Sequence, residues 1–141
     1  MQYHVVAVGR LKQAALRAAC DDYLSRLRHY ARVEEREIKD EARILRAVPE
    51  DSRLVALSRE GEPWTSVDLS QWTARWELES RDIAFAIGGA EGLPRAVLER
   101  AERIFSLSRL TFPHELARLL LYEQLYRAYT IRRGEPYHRD G

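Results

Sequence analysis

The chain has 141 residues, 45% hydrophobic and 32% charged, the size and balance of a single domain (1–141) able to bury a core. Its 23 basic and 22 acidic residues leave a net charge of +1, which excludes a highly charged disordered chain and removes bulk positive charge as a reason to bind nucleic acid. One cysteine, Cys20, excludes a disulfide framework and a cysteine-rich zinc site.

Met1-Gln2-Tyr3-His4 has no charged leader and only a short apolar stretch behind it, so neither a secretory signal nor a membrane span is expected, and the expected location is cytoplasmic. Val5 to Val8 is a continuous apolar run closed by Gly9, the pattern of a strand buried on both faces. Leu16, Cys20, Tyr23, Leu27 and Tyr30 recur at helical spacing and predict one buried helix face. Val33 to Ile38 alternates apolar and charged residues, as a more exposed strand does. A short helix is expected over Glu41 to Val48, ended by Pro49.

Leu54 to Leu57 is the third expected strand, followed by a loop from Ser58 to Glu62. Ser66 is placed to cap a helix over Val67 to Glu79 that buries Leu69, Trp72 and Trp76. Ile83 to Ile87 is the clearest strand and runs into Gly88-Gly89-Ala90-Glu91-Gly92. A helix from Pro94 to Arg103 follows, with proline at a permitted first-turn position. Leu107 to Phe112 is apolar-rich, His114 to Thr130 is the longest expected helix, and Arg132 to Gly141 is a polar tail. Strands alternating with helices predict an α/β fold, a mostly parallel sheet with helices on both faces.

The glycine-rich turn lies where α/β sheets bind ligands, yet it matches neither GxGxxG nor a phosphate loop. A tight strand-to-helix turn explains it equally well. His4, His29, His114 and His138 show no metal-ligand spacing, and no metal is expected. Tyr137-His138-Arg139 puts an aromatic ring, a titratable ring and a fixed cation together in a tail that position alone would leave frayed. Glu123 and Arg127 read as an i,i+4 surface pair, and Tyr122, Tyr126 and Tyr129 as core, interface or stacking surface.

Several segments occur together and in order: Val6-Ala7-Val8-Gly9, Ile87-Gly88-Gly89 with Glu91-Gly92-Leu93, and Leu107-Ser108-Arg109-Leu110-Thr111-Phe112-Pro113-His114. Glu123-Gln124-Leu125-Tyr126-Arg127-Ala128 and Pro136-Tyr137-His138-Arg139 complete the set. With them the chain closely resembles the ribosomal large-subunit pseudouridine methyltransferase H family (RlmH, YbeA-like) of the SPOUT superfamily, essentially end to end.

The resemblance implies a SPOUT-type α/β fold with a C-terminal trefoil knot, a rare exception to unthreaded chains. It implies a homodimer with S-adenosylmethionine held by Leu57, Gly88, Leu107, Ser108, Arg109, Leu110, Thr111 and Phe112. The implied reaction is methyl transfer to N3 of a pseudouridine in 23S rRNA of the assembled ribosome. His138 is then the candidate to take the N3 proton, Arg139 to stabilise developing charge or hold a phosphate, and Tyr137 to contact the extruded base. Two departures stand out: the segment between Ile38 and Leu54 is short, and Ser58 replaces the acidic residue usual after the leucine matching Leu57. The alternatives are a SPOUT enzyme acting on another RNA, a non-catalytic ribosome-binding factor of the same fold, and a generic nucleotide-binding protein.

Overall fold

The computed structural model describes residues 1–138. Its strands are β1 (Gln2–Val8), β2 (Arg32–Ile38), β3 (Arg53–Pro63), β4 (Ile83–Ile87) and β5 (Arg103–Ser106). They form one sheet in the order β2-β1-β4-β3-β5, and every paired neighbour is parallel. The helices are α1 (Ala14–Leu27), α2 (Ile44–Ala47, after a 3-10 turn at Glu41–Arg43), α3 (Ser66–Glu79), α4 (Arg95–Arg100) and α5 (His114–Arg132).

The pleat sorts side chains onto two faces. Tyr3, Val5, Ala7, Val33, Val55, Ile83, Phe85, Ile87 and Phe105 face α1, α3 and α5. Val6, Val8, Leu54, Ala84 and Ala86 face α2 and α4 through Ile44, Ala47 and Val97. Both faces are therefore dry, and the central strands read as unbroken apolar runs for that reason. All five residues of β4 are buried. The α/β class with helices on both faces stands as expected from the sequence.

Three boundaries differ from the sequence reading. β3 does not stop at Leu57: it leaves the ladder for four residues and rejoins it, Leu57 and then Glu62 both standing opposite Phe105. The supposed loop from Ser58 to Glu62 is thus a wide bulge inside one strand, and the charged residues hid it from a hydrophobicity pattern. The helix expected through Arg103 ends at Arg100, because Arg103 to Ser106 extends along β3 as the edge strand β5. Thr65, one residue before Ser66, caps α3: its hydroxyl accepts from the Asp68 N–H at 3.0 Å, and the Asp68 carboxylate accepts from the Thr65 N–H at 2.8 Å. That reciprocal pair is a capping box with Asp in the usual Glu or Gln position.

Edge strand β2 also departs from expectation. Glu35 and Glu37 share the inward face with Val33 and meet two arginines there. Arg118 of α5, fully buried, donates to Glu37 Oε2 at 2.6 Å and to the Gly9 carbonyl at 2.9 Å. Arg17 of α1 donates to Glu35 Oε1 at 3.0 Å, and the Tyr122 hydroxyl donates to Glu35 Oε2 at 2.5 Å. Burial followed by the Glu35 charge pushes the Tyr122 hydroxyl far up, so it stays a donor. Cys20, buried beside this cluster, is raised to about 11 chiefly by desolvation, which fits the core role its spacing indicated.

Candidate active site

The bulge of β3 and the carboxyl ends of β4 and β5 open into one cleft of about 1030 Å³. This is the edge at which open α/β sheets take ligands, because strand ends there diverge into loops with free backbone groups. The floor is the turn after β4. Gly92 donates its N–H to the Gly89 carbonyl at 3.0 Å and takes a left-handed φ of 74°. A Cβ on Gly88 would lie 2.7 Å from the Gly92 carbonyl carbon and oxygen. Glycine at 88 is therefore demanded by closure of the turn itself, and the closed turn then lines the cleft. The tight-turn reading is thus borne out, and the turn also borders the cleft in which a ligand would sit.

One side wall is the β3 bulge, Leu57 to Glu60, and the other is the loop from Leu107 to Pro113. Gly61 anchors the bulge, since a Cβ there would stand 2.5 Å from the Ile104 carbonyl oxygen. The buried Ser106 hydroxyl lies between the walls, 3.1 Å from the Arg59 carbonyl oxygen and 3.0 Å from that of Ser108. With one proton it donates to one of these at a time. Ser108 Oγ accepts from the Leu110 N–H at 3.0 Å and shapes the second wall.

Of the residues expected to hold a cofactor, Leu57, Gly88, Leu107, Ser108, Leu110, Thr111 and Phe112 all line this cleft, and Arg109 does not. Leu110 stands at the mouth, 70% exposed. Sequence reasoning missed Arg59, Glu60, Leu98 and His114, which also line it. Arg59 and Glu60 carried no signal because they read as loop. His114 opens the longest helix, but Pro113 holds the cap position and no side-chain cap bond forms. The His114 ring instead packs on the β1 turn, so close that a Cβ on Gly9 would lie 3.1 Å from its Cε1. Glu115 Oε1 accepts the Lys12 N–H at 2.6 Å, adding a second staple between that turn and α5.

The lining combines apolar Leu57, Leu107, Leu110 and Phe112 with the bare backbone of a glycine turn. Such a wall suits a ligand with one flat apolar ring and a polar periphery, in a volume near the upper end of the roughly 300–1,000 Å³ typical of small-molecule sites. S-adenosylmethionine, with its adenine ring and charged aminoacyl arm, fits that description. Among the described residues no group of three or more His, Cys, Asp or Glu is placed to hold a metal ion.

The tail lies elsewhere. The Tyr137 hydroxyl donates to Glu123 Oε2 at 2.8 Å and stands 3.2 Å from the Tyr23 hydroxyl. Its ring meets that of Tyr126 edge-on at 4.7 Å, with the Arg127 guanidinium 5.0 Å from its centroid. Burial, then the bonds to Tyr23 and Glu123, raise the Tyr137 hydroxyl well above the usual tyrosine range. Glu123 and Arg127, expected as a solvated pair, have side chains only 15% and 25% exposed, and Arg127 Nη2 donates to Glu123 Oε2 at 2.7 Å. The tail is thus docked through Tyr137 rather than frayed. His138 follows it directly, half-buried, and Arg139 lies outside the described residues. Neither Tyr137 nor His138 lines the cleft of its own chain.

A family described as "Predicted SPOUT methyltransferase" matches residues 1–138. Proteins from Burkholderia mallei and Burkholderia pseudomallei, each named ribosomal RNA large subunit methyltransferase H, are 40% identical over 155 aligned positions covering 99% of both chains. Among solved structures, a probable methylase family protein from Haemophilus influenzae superposes with a TM-score of 0.65 at 9% identity, covering 98% of this chain and 70% of that one. A methyltransferase from Legionella pneumophila, solved with bound S-adenosylmethionine, superposes at 0.51 with 11% identity, covering 91% and 66%.

Proposed function

The chain belongs to the SPOUT methyltransferase family, and on that premise we propose that it methylates large-subunit ribosomal RNA with S-adenosylmethionine, at N3 of a pseudouridine. The observation that carries this reading is the cleft: seven residues assigned to the cofactor by resemblance, from three separate parts of the chain, line one cleft, on its floor and two walls. The substrate class is supported by the full-length relatives, whose name is that of a ribosomal RNA large subunit methyltransferase. The C-terminal trefoil knot of the superfamily belongs to the same reading.

When bound, S-adenosylmethionine supplies an electrophilic methyl group on a sulfonium and leaves as a neutral thioether. The apolar side chains of Leu57, Leu107 and Phe112 would hold its flat ring, with Leu110 beside it at the mouth. Backbone groups of the Gly88 turn and of the 107–112 loop meet its polar edges. Holding donor and base in line contributes several kcal/mol to lowering the barrier, so positioning is the main task of the protein. The N3 proton of the base must leave for the nitrogen lone pair to form the new bond. His138 is the group in this chain suited to accept it, since a neutral imidazole takes a proton near pH 7. Arg139 offsets the negative charge that grows on the flanking carbonyls or holds a phosphate. The Tyr137 hydroxyl is already engaged with Glu123 and Tyr23, so in this reading Tyr137 holds the tail and the two residues after it meet the base.

Two copies act together in this proposal. The described tail residues do not line their own cleft, and a second copy can bring its tail to the mouth. The near-zero net charge fits an enzyme that reads an assembled ribosome in the cytoplasm by shape, rather than one that binds free RNA by charge.

The test is transfer of labelled methyl from S-adenosylmethionine to ribosomes lacking the modification, with the product nucleoside mapped. Label on pseudouridine N3 in the large subunit supports the whole reading. Label on another RNA moves the substrate and keeps the chemistry. No label from folded protein sinks the enzymatic reading in favour of a ribosome-binding factor.

A further inference from the structure

Of the three tyrosines that the sequence left as core, interface or stacking surface, Tyr126 meets the tail, its ring packing edge-on against that of Tyr137. Gly134, at a left-handed φ of 66°, ends α5 by donating its N–H to the Ile131 carbonyl at 3.1 Å, and the Glu135 N–H returns to the Thr130 carbonyl at 2.9 Å. This closure turns the chain back along the helix it has just left. Two contacts from α1 and the turn after it then hold the returning segment. The Tyr30 hydroxyl donates to Glu135 Oε2 at 2.6 Å, and the Tyr23 hydroxyl lies 3.2 Å from that of Tyr137.

Tyr23 and Tyr30 are seven residues apart and flank Tyr126 of α5, each with its ring centroid 6.1 Å from that of Tyr126. The Tyr30 ring also stacks on Tyr129 at 5.6 Å and carries the Arg133 guanidinium at 5.1 Å. Phenylalanine would satisfy that ring packing equally well. What tyrosine adds at both positions is a hydroxyl, and each hydroxyl is aimed at a tail group. The bond to Glu135, together with burial, pushes the Tyr30 hydroxyl up to about 12, which keeps it a donor at any working pH.

We infer that Tyr23 and Tyr30 are positioning residues, a two-point clasp that holds the tail at Glu135 and Tyr137 so that His138 is presented to the substrate in a fixed place. The inference rests on the reading that the tail meets the RNA. It adds a role for residues of α1 and the turn after it that touch neither cofactor nor base. Preordering of this kind lowers the entropy lost when the tail engages, so its removal falls on turnover and leaves the cofactor cleft intact.

The experiment compares the full chain with the Tyr23→Phe/Tyr30→Phe double variant, with Tyr30→Phe alone, and with Glu135→Ala alone and combined with Tyr30→Phe, since Glu135→Ala cuts the Tyr30 contact without altering either tyrosine. Amide hydrogen exchange is followed in the segment from 134 to 138, cofactor affinity by calorimetry, and turnover on unmodified ribosomes. Exchange in that segment is expected to quicken about tenfold, with kcat falling by a similar factor, the scale of one hydrogen bond to a charged group. Cofactor affinity should not change. Glu135→Ala should reproduce the effect of Tyr30→Phe and add nothing to it. Unchanged exchange in the double variant overturns the clasp, and so does quickened exchange with unchanged kcat. If the unaltered protein fails to methylate ribosomes, the substrate reading falls, while the exchange comparison still decides whether the clasp holds the tail.

Discussion

Arg118 bridges Glu37 and the Gly9 carbonyl from a fully buried position, joining edge strand β2, the turn after β1 and helix α5 through one guanidinium. A buried charge is tolerated there because Glu37 and Glu35 both stand within 3.2 Å of its Nη1, although its Nε has no hydrogen-bond partner among the described residues. The consequence reaches the cleft. The same first turns of α5 carry His114 and Ala117 into its lining, so the ion cluster sets where that wall stands.

Replacing Arg118 with methionine should therefore destabilise the protein by roughly 3 kcal/mol, the usual scale for removing one partner of a buried pair and stranding the other. Urea unfolding measures this. Cofactor affinity should fall as well, since the Gly9 turn and the start of α5 lose a shared anchor. Full stability in the methionine variant would mean that the carboxylates reach water unaided.

Gly88→Ala tests the floor of the cleft. The added carbon would lie 2.7 Å from the Gly92 backbone, so the turn must open to admit it. The fold should survive, because β4 ends before the turn, while the affinity for S-adenosylmethionine should drop by about tenfold or more, the effect of losing one well-placed backbone contact. Calorimetry that found unchanged affinity would remove the glycine turn from the cofactor site.

The tail should separate binding from chemistry. His138→Ala is expected to cut kcat by roughly 10²–10⁴, the range for loss of a general base, and to leave cofactor affinity intact. Arg139→Ala should lower turnover or ribosome affinity, again sparing the cofactor. An equal loss of cofactor affinity in either variant would argue that the tail belongs to the cofactor site and not to the substrate.

A pH dependence is written at the start of the chain. Asp82 is half-buried, which alone would raise its carboxyl, yet bonds from the His4 ring at 2.9 Å and the Gln2 N–H at 3.0 Å outweigh burial and hold it below the usual range. A carboxylate lowered by folding stabilises the fold above its unfolded pKa, near 4, and loses that contribution as pH falls through its folded value. Asp82→Asn should therefore be less stable than the parent at pH 7, with the gap in urea midpoint closing under acid. A gap that stayed constant with pH would show that the hydrogen bonds matter and the charge does not.

Apolar periodicity made the core strands and α1, α3 and α5 legible, since burial on both faces of a parallel sheet leaves runs such as Val5 to Val8 and Ile83 to Ile87 that nothing else explains. It failed at β5 and at the β3 bulge. There Arg103, Glu62 and their neighbours lie on an edge open to solvent, where pairing comes from backbone bonds and not from a hydrophobic pattern. The same blindness hid Glu35 and Glu37, whose inward charges are acceptable only because Arg17 and Arg118 arrive from distant helices.

The sequence by itself determined the family and the α/β class, because ordered motifs and helical or strand spacing are local properties of the chain, and through the resemblance it nominated the residues proposed to hold the cofactor. It also marked the tail through its Tyr-His-Arg triplet. Only the tertiary structure decided that Leu57, Gly88 and the 107–112 loop share one cleft, and that the tail is docked by Tyr137 and Glu135 against α1 and α5. The tail and the ion cluster are matters of what meets across more than 80 residues of chain, in the bonds of Tyr23 to Tyr137, Tyr30 to Glu135 and Arg118 to Glu37, and the cleft joins β3 to β5, strands that are not neighbours in sequence. Contacts at that separation are set by how layers pack, which no local pattern of residue types records.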